Sequence, residues 1–414
     1  MNLQNKIPVL FIIIPIIIGS YELIPDDITI AKLQVSETAG LSRALEYVEL
    51  QLQLELDGKN FDKQNIVAED AQSGEQIPCQ IFNKKVFEEE KIILLDILFP
   101  TSFEANERKN FLLKNSEKKK KPVTDLNLSG EGLDLIIEND FYKANLSKSD
   151  QSEAKSYNSG QLSELQIKKK FNQLLFRTKN RMHWAPNFKK TGLEYYKTIA
   201  GWQSPKHYIL NEGPYLIFTQ RKDLAPDHPE ILLTANYYFY AGLPYFKFFS
   251  SMNIIEDVTL SLLRNDEMTM DSLFTHIAYQ NNSGKIIDLA FSERHKELEK
   301  NPIENNAPWL CFYNIDKGYA FGSIRIKYNN INNSGLPSPT YLPHTKISDG
   351  AGGGKYWNRC LIYNYPVFVP EGSSYLEENV YLIFEITKED KFEEIIEQMN
   401  MIKNPVEVIV FSEK

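Results

Sequence analysis

Alternation of apolar and polar residues runs through most of this chain, and no other feature restricts its fold as much. The segment Val48–Leu56 alternates strictly between aliphatic and polar side chains and ends at Asp57-Gly58. A period of two residues places the apolar side chains on one face of a strand and the polar ones on the other. Similar short runs recur along the chain, separated by turn residues. The pattern predicts an all-β protein, and it excludes a doubly wound sheet because strands and helices do not alternate.

Two regions of different size follow from the spacing of these runs. Residues 26–122 have short strands at the spacing of an immunoglobulin-like β-sandwich, and they end in the lysine-rich linker Ser116–Pro122. Residues 129–414 are longer and equally rich in strands, so we expect a large antiparallel β-supersandwich there. Within this region, Tyr237–Tyr240 and Tyr245–Phe249 flank a short turn and predict an aromatic hairpin. Helical spacing is limited to about 290–300 and 391–402.

The N-terminus and the charge balance restrict where the protein acts. Residues 1–20 place Lys6 before the apolar run Val9–Ile18 and then Gly19-Ser20, which is typical of a secretory signal peptide and too short for a membrane span. A buried N-terminal strand is the alternative. We expect a secreted or periplasmic protein with no membrane span in the mature chain. Its 46 basic and 55 acidic side chains argue against nucleic-acid binding.

The cysteines do not point to a scaffold or to a zinc site. The chain has 3 of them, which excludes a disulfide framework, and none has a neighbour at zinc-ligand spacing. We expect all three to lie in the core: Cys79, Cys311 and Cys360.

Three polar segments interrupt the strand pattern and are candidates for a functional site. Arg181–Phe188 places a histidine next to a tryptophan. Arg264–Asp271 is rich in charge and is followed by His276. The third segment is a glycine-rich loop, Gly350–Gly354, followed by Lys355–Arg359. It lacks the residue order of a phosphate-binding loop, so we interpret it as either a rim over a ligand or a tight crossing between sheets.

Four stretches of the larger region resemble the galactose-mutarotase-like β-supersandwich: IENDFYKANL, GQLSELQIK, NEGPY and YYFYAGLPYFKF. In the smaller region YVEL, IPCQI and FPTSFEANERKNF resemble the N-terminal sandwich found ahead of polysaccharide-lyase and glycoside-hydrolase domains. The resemblance implies a carbohydrate-active protein, because this fold recurs in sugar epimerases, polysaccharide lyases and glycoside hydrolases. Fold alone does not decide among these activities.

Our leading hypothesis is a polysaccharide lyase that cleaves an acidic, uronic-acid polysaccharide or oligosaccharide by β-elimination. Such an enzyme neutralises the uronate carboxylate, removes the C5 proton and protonates the leaving oxygen. The candidate neutralising groups are Asn187, Arg264 and Arg359, the candidate bases are His183 and His276, and the candidate acid is Tyr356. Further contacts with the sugar are expected from Trp184, Trp357, Asn358, Lys355 and Glu378.

Three other functions remain open from the sequence. Hydrolysis would use two carboxylates drawn from Asp266, Glu267, Asp271, Glu377 and Glu378. An epimerase would use one histidine and one glutamate, which His276 and Glu378 could supply. A non-catalytic glycan-binding protein would keep the aromatic surface and need no base. None of these functions requires a cofactor, although Asn265–Glu267 could bind calcium.

Overall fold

The computed structural model describes residues 28–55, 66–89, 91–116, 121–146, 159–168, 173–174, 182–270, 273–294, 297–298, 302–350 and 353–411. The predicted signal peptide at residues 1–20 lies outside these ranges, and so do Arg181 and Asp271. The chain forms two compact units. Unit 1 comprises Met1–Thr124, Asn211–Leu216 and Lys403–Lys414, and unit 2 comprises Asp125–Leu210 and Ile217–Ile402.

Unit 1 is a β-sandwich, as the sequence predicts. Its strands are β1 (Ile28–Ser36), β2 (Arg43–Glu55), β3 (Ile66–Asp70), β4 (Gln76–Pro78), β5 (Gln80–Phe87), β6 (Ile92–Phe103), β7 (Arg108–Asn115) and the last strand of the chain, β27 (Glu407–Phe411). One sheet has the order β27-β1-β7-β3-β4 and the other β2-β6-β5. The alternation in β2 buries Val48, Leu50, Leu52 and Leu54 in a core that both sheets share.

The last strand corrects the predicted boundary of the larger region. We assigned residues 129–414 to one supersandwich, but β27 pairs antiparallel with β1, from Lys32 opposite Phe411 to Ser36 opposite Glu407. Val410 of β27 joins the core of unit 1. Alternation along a strand shows which face is buried but not which strand lies beside it, so this long-range pairing could not be predicted.

Unit 2 contains three antiparallel sheets and an α-helix, and Arg294, Glu297 and Leu298, within the predicted range 290–300, are also helical. The first sheet has the order β12-β11-β10-β9-β8 and uses β8 (Asn127–Glu131), β9 (Asp134–Glu138), β10 (Tyr142–Leu146), β11 (Leu162–Ile167) and β12 (Gln173–Leu174). The second, called here the β19 sheet, has the order β14-β13-β19-β25-β24 and uses β13 (Asn187–Lys190), β14 (Lys197–Thr198), β19 (Val258–Met270), β24 (His344–Asp349) and β25 (Lys355–Val369).

The third sheet of unit 2 has nine strands in the order β15-β16-β17-β18-β26-β23-β22-β20-β21. They are β15 (Tyr208–Glu212), β16 (Leu216–Ala225), β17 (His228–Tyr240), β18 (Tyr245–Ile254), β20 (His276–Gln280), β21 (Ile286–Ala290), β22 (Trp309–Asn314), β23 (Tyr319–Asn329) and β26 (Ser374–Glu385). The helix is α1 (Glu393–Lys403), and a short 3-10 helix spans Ile199–Gly201. The large antiparallel β-structure predicted for this region is confirmed.

Two local predictions are confirmed within unit 2. The aromatic hairpin forms between β17 and β18, with Phe239 opposite Phe246 and Tyr237 opposite Phe248. Helix α1 lies within one or two residues of the predicted range and buries Ile395, with Phe392 packed on the same cluster. Among the described residues, no helix is long and apolar enough to cross a membrane.

Candidate functional site

A bulge in β19 positions two neighbouring carboxyl groups of unit 2. Asn265 pairs with Arg359 of β25 and Met268 pairs with Trp357, so two residues of β19, Asp266 and Glu267, lie between these pairs where β25 has one. Asp266 adopts a φ of 46°. An extra residue rotates the chain and changes the direction of the side chains around it. Asp266 and Glu267 therefore belong to two different clusters.

The first cluster, called here the inter-sheet cluster, surrounds Asp266 where the β19 sheet faces the nine-stranded sheet. Arg325 forms a salt bridge of 2.9 Å with the carboxylate, in which both side chains are almost fully buried. Four neutral groups also donate hydrogen bonds to Asp266, at 3.0 to 3.2 Å: Ser323 Oγ, Trp357 Nε1, Tyr328 OH and Tyr381 OH. With five donors on its two oxygens, the carboxylate is stabilised inside the protein and is closed to a ligand.

Glu377 of β26 is the second carboxyl group of the inter-sheet cluster. It accepts hydrogen bonds from Asn379 Nδ2 at 2.7 Å and Ser250 Oγ at 2.8 Å. Burial, and after it the nearby charge of Asp266, raises the pKa of Glu377 to about 7. Both carboxyl groups are 0% exposed. They lie too deep for the pair to act on a polymeric sugar by hydrolysis.

His183 also belongs to the inter-sheet cluster. Its Nδ1 is hydrogen-bonded to Tyr237 OH, its Nε2 lies 3.5 Å from Tyr381 OH, and its ring packs edge-on against Phe248. Burial lowers the pKa of His183 to about 3, so the ring is neutral under ordinary conditions. With 0% of its surface exposed, this histidine serves the packing between the sheets.

The second cluster, called here the outer-face cluster, surrounds Glu267 on the opposite face of the β19 sheet. Glu267 accepts hydrogen bonds from Asn187 Nδ2 at 2.8 Å and Arg264 Nη1 at 3.2 Å. Burial raises the pKa of Glu267, against the lowering effect of these two donors. Tyr356, Asn358 and Cys360 complete the cluster.

Strand β25 explains why these side chains share a face. Trp357, Arg359 and Leu361 point towards the nine-stranded sheet, where the Trp357 ring packs on Phe312 and Phe321. The alternate residues of β25 point the other way. They are Tyr356, Asn358 and Cys360, and the Cys360 thiol lies beside Arg264 and donates a hydrogen bond to Asn358 Oδ1.

Aromatic rings form a partly exposed rim around Glu267. Tyr196 is 48% exposed and packs edge-on against Trp184, with the ring centroids 6.1 Å apart. Partial burial raises the pKa of Tyr196, and the charge of Glu267 raises it further, with a smaller effect of Tyr356. These electrostatic effects mean that Tyr196, Glu267 and Tyr356 lie near one another. Rings of this kind offer apolar faces to a sugar and hydroxyl groups at their edges.

Three buried polar atoms of the outer-face cluster have no hydrogen-bond partner among the described residues. They are Asn187 Oδ1, Arg264 Nε and Asn358 Nδ2. Because buried polar groups are nearly always paired in folded proteins, these atoms indicate room for buried water molecules that supply the missing partners.

Two cations increase the positive charge beside this cluster. The Arg264 guanidinium lies 5.6 Å from the centroid of the Tyr363 ring, and Lys346 Nζ lies 4.4 Å from it. Lys346 also donates a 3.0 Å hydrogen bond to Tyr363 OH, and this contact lowers the pKa of Tyr363. Because the charge of Arg264 is balanced by that of Glu267, Lys346 leaves these three groups with a net positive charge, although the whole chain is acidic.

The structure brings together five of the side chains proposed from the sequence. They lie in the outer-face cluster: Asn187, Arg264, Tyr356, Trp184 and Asn358. Sequence reasoning missed the central role of Glu267 and the contributions of Cys360 and Lys346. Period-two spacing along β25 could have linked Cys360 to Tyr356, but nothing in the sequence indicated the bulge that turns Glu267 outwards.

The other proposed residues lie elsewhere. His183 and Trp357 are in the inter-sheet cluster, and Arg359 lies at its edge, with its guanidinium 3.9 Å from the centroid of the Tyr328 ring and 3.2 Å from Asn265 Oδ1. His276 stacks on Tyr313, 4.9 Å between centroids, in the nine-stranded sheet. Glu378 lies in the middle of β26, and Lys355 forms a salt bridge with Asp349.

The segment considered for calcium does not form one ligand set. Asp266 and Glu267 belong to different clusters, and Asp266 already accepts five hydrogen bonds. Within the described ranges, no group of three or more His, Cys, Asp and Glu side chains could hold a metal ion.

Comparison with solved structures adds evidence about the fold. A protein in the glycosyl hydrolase family 38 from Enterococcus faecalis aligns over 92% of this chain with a TM-score of 0.56 and 12% identity. An alpha-mannosidase from the same organism aligns over 93% with a TM-score of 0.55 and 11% identity. This chain shares their fold. It spans about half the length of these two proteins, covering 47% of the first and 46% of the second.

Other comparisons give less. A Salmonella typhimurium protein named as a mutarotase aligns over 63% of this chain with a TM-score of 0.33, a likeness too weak to carry an argument. No protein-family model and no curated protein matches the sequence. Identities of 11 and 12% establish a common fold and not a common reaction.

Proposed function

We propose that this protein binds an acidic glycan on the outer face of the β19 sheet. The observation that carries the proposal is the outer-face cluster itself, in which Glu267, Arg264 and Asn187 are buried together beneath the partly exposed rings of Trp184 and Tyr196. A sugar ring lying against these aromatic rings would bring its oxygen atoms to Arg264, whose side chain is 13% exposed, while the unpaired atoms of Asn187 and Asn358 lie below the surface. The fold shared with two carbohydrate enzymes supports this choice of ligand class.

The preference for an acidic sugar follows from charge. Arg264 and Lys346 supply two positive charges at Tyr363. Burial raises the pKa of Glu267, so this carboxyl group, which contacts Arg264, is neutralised more readily than an exposed carboxyl. When Glu267 is protonated, Arg264 becomes available to a uronate carboxylate. The signal peptide predicted at residues 1–20 would let the protein meet such glycans outside the cytoplasm.

Calorimetric titration with glycans tests the proposal. The panel contains pectate, alginate, hyaluronan and chondroitin sulfate, with neutral mannan and cellulose fragments for comparison. We expect binding to at least one acidic member, and about fivefold weaker binding or more in Trp184→Ala, whose ring lies at the rim. Tyr208→Ala, which removes an exposed ring from β15, serves as the control. Lack of binding to every acidic glycan, or equal affinity in Trp184→Ala, would overturn the proposal.

Elimination of a uronate is the second candidate function. Arg264 and Asn187 can neutralise the carboxylate, and Tyr356 lies in the same neighbourhood as a proton donor. The base is the difficulty, because His183 is buried between the sheets and His276 lies on the nine-stranded sheet. Tyr196 could serve, but its raised pKa lowers the fraction present as the phenolate that would have to accept the proton. Binding is therefore the function that the geometry supports best.

An ultraviolet assay separates the two candidates. Elimination creates an unsaturated uronate with a characteristic absorbance, which rises during incubation with the acidic panel, and Tyr356→Phe should abolish that rise while leaving affinity within about twofold. A glycan that binds without any rise in absorbance supports binding alone. Hydrolysis would instead release reducing ends with no change in absorbance, and it needs a second carboxylate near Glu267.

A further inference from the structure

We infer that the glycan site continues along β25 onto a second aromatic platform, so that the ligand is a chain of several sugar units and not a single sugar. This inference rests on the proposed function and deepens it. The platform consists of Tyr341 and Tyr365, whose rings stack with centroids 4.6 Å apart and an interplanar angle of 20°. Both rings are exposed to solvent, Tyr341 by 38% and Tyr365 by 54%.

A second irregularity in β25 exposes this pair. Leu262 pairs with Tyr363 and Leu260 with Val367, so four steps along β25 match two steps along β19. Asn364 has a φ of 55°, which is typical of a bulge. Three residues of β25, Asn364–Pro366, therefore lie opposite one residue of β19, and all three are exposed. Tyr341 is held beside it because its backbone amide donates a hydrogen bond to the carbonyl of Leu361.

Tyr363 connects the platform to the outer-face cluster. Its ring contacts both Arg264 and Lys346, and it lies two residues before Tyr365, about 7 Å along the strand. Tyr356 pairs with Thr269 of β19, and Tyr363 pairs with Leu262. The strand segment between these two pairs is roughly 20 Å long at the usual rise per residue. A single sugar ring would occupy one part of this length, whereas an extended acidic chain would reach both ends.

The chemistry of the surface favours a glycan over a protein partner. The exposed groups are tyrosine rings that carry hydroxyl groups at their edges, and they are continuous with two cations at Tyr363. Stacked rings with polar edges match the alternating apolar faces and hydroxyl groups of a polysaccharide. The cations match its carboxylates.

Fragments of different length test the inference. The probes are the two-unit and eight-unit fragments of the panel member that binds most tightly, titrated into the full chain. We expect Tyr365→Ala and Tyr341→Ala to weaken binding of the eight-unit fragment about tenfold and to leave the two-unit fragment unchanged. Tyr365→Phe, which keeps the ring, should retain most of the affinity. Trp184→Ala should weaken both fragments.

The possible outcomes are distinguishable. Equal affinities of wild type and both platform variants for the eight-unit fragment would overturn the extended site while leaving the proposed function intact. Equal losses for the two-unit and eight-unit fragments would also overturn it, because the platform would then act as part of the first site. Lack of binding to any acidic glycan would overturn the proposed function and this inference together. Tyr208→Ala and the melting temperatures of all variants control for altered folding.

Discussion

The backbone amide of Asp266 donates a 2.7 Å hydrogen bond to Glu377 Oε2 and so links the β19 sheet to the nine-stranded sheet. This bond exists because the bulge in β19 turns the backbone of Asp266 towards β26, while the side chain of the next residue, Glu267, points to the outer face. One local irregularity thus determines both the buried network that joins the sheets and the cluster that we propose to bind a glycan.

We expect glycan binding to depend on pH through Glu267. Burial raises the pKa of this carboxyl group, and a bound anion raises it further, so binding takes up a proton. Affinity for an acidic glycan should therefore increase as pH falls through the pKa of Glu267. Titrations at a series of pH values from 4.5, the ordinary value, upwards should show the higher affinity at the low end in wild type and not in Glu267→Gln, and affinity for a neutral glycan should not follow it. A wild-type affinity independent of pH would contradict the role given to Glu267.

The stability of the protein should depend on pH through Glu377. Its pKa is about 7 in the folded protein, above the ordinary value of 4.5, so the folded state keeps a proton that the unfolded chain releases. Below pH 4.5 this group makes its full contribution to the free energy of unfolding. That contribution falls by about 3 kcal/mol as the pH rises from 4.5 to about 7. Urea unfolding of wild type and Glu377→Gln across this pH range should show that only wild type loses this contribution as the pH rises.

His183 makes the free energy of unfolding change with pH in the opposite direction, in wild type and in Glu377→Gln alike. Its pKa is lowered to about 3, so between pH 3 and pH 6.5 the unfolded chain binds a proton that the folded state does not bind. Stability therefore rises with pH up to 6.5, the ordinary pKa of histidine. The comparison of wild type with Glu377→Gln cancels this effect. Parallel stability curves for the two proteins would show that Glu377 does not hold the proton.

Arg325 should be strongly coupled to Asp266. Removing one partner of a buried ion pair leaves the other charge unpaired, so Arg325→Met should lower the free energy of unfolding by roughly 3–5 kcal/mol. The double variant Asp266→Asn/Arg325→Met should lose less than the sum of the two single variants, because no buried charge is left behind. Additive losses in the urea midpoints would indicate that the two side chains act independently.

Gly322 of β23 should resist substitution because of helix α1. A Cβ atom at this position would lie 2.8 Å from Ile395 Cδ1 and 3.0 Å from the carbonyl oxygen of Leu310. Gly322→Ala should therefore reduce stability by about 1–3 kcal/mol, and Ile395→Val in the same chain should recover part of the loss. Gly201→Ala, which would meet no atom within 4 Å, is the matched control in thermal unfolding.

The last strand should be required for the stability of unit 1. Val410 of β27 is 9% exposed and lies in the core, whereas its neighbour Ile409 is 42% exposed. Val410→Asp should increase hydrogen exchange at the amides of β1 from Lys32 to Ser36, because burying a carboxylate disrupts the pairing. Ile409→Asp introduces the same charge on the exposed face and should leave exchange nearly unchanged. Similar exchange in both variants would contradict the predicted dependence on β27.

The sequence by itself determined the class of the fold and many of its elements. Alternation in Val48–Leu56 set the buried face of β2, and the aromatic runs around Ala241–Pro244 set the hairpin of β17 and β18, because period-two burial is a local property of a strand. Helical spacing likewise predicted α1. The side chains of Asn187, Arg264 and Tyr356 were also recognisable as site candidates from their polar settings.

The tertiary structure alone decided which of these candidates meet. Register and bulges depend on long-range pairing, so the sequence could not show that Glu267 joins Asn187 and Arg264 while Asp266 turns to Glu377. It could not show that His183 is enclosed between two sheets, because the sequence of a histidine next to a tryptophan is the same whether the histidine is buried or exposed. The pairing of β27 with β1 was decided in the same way, by contacts between segments far apart in the chain.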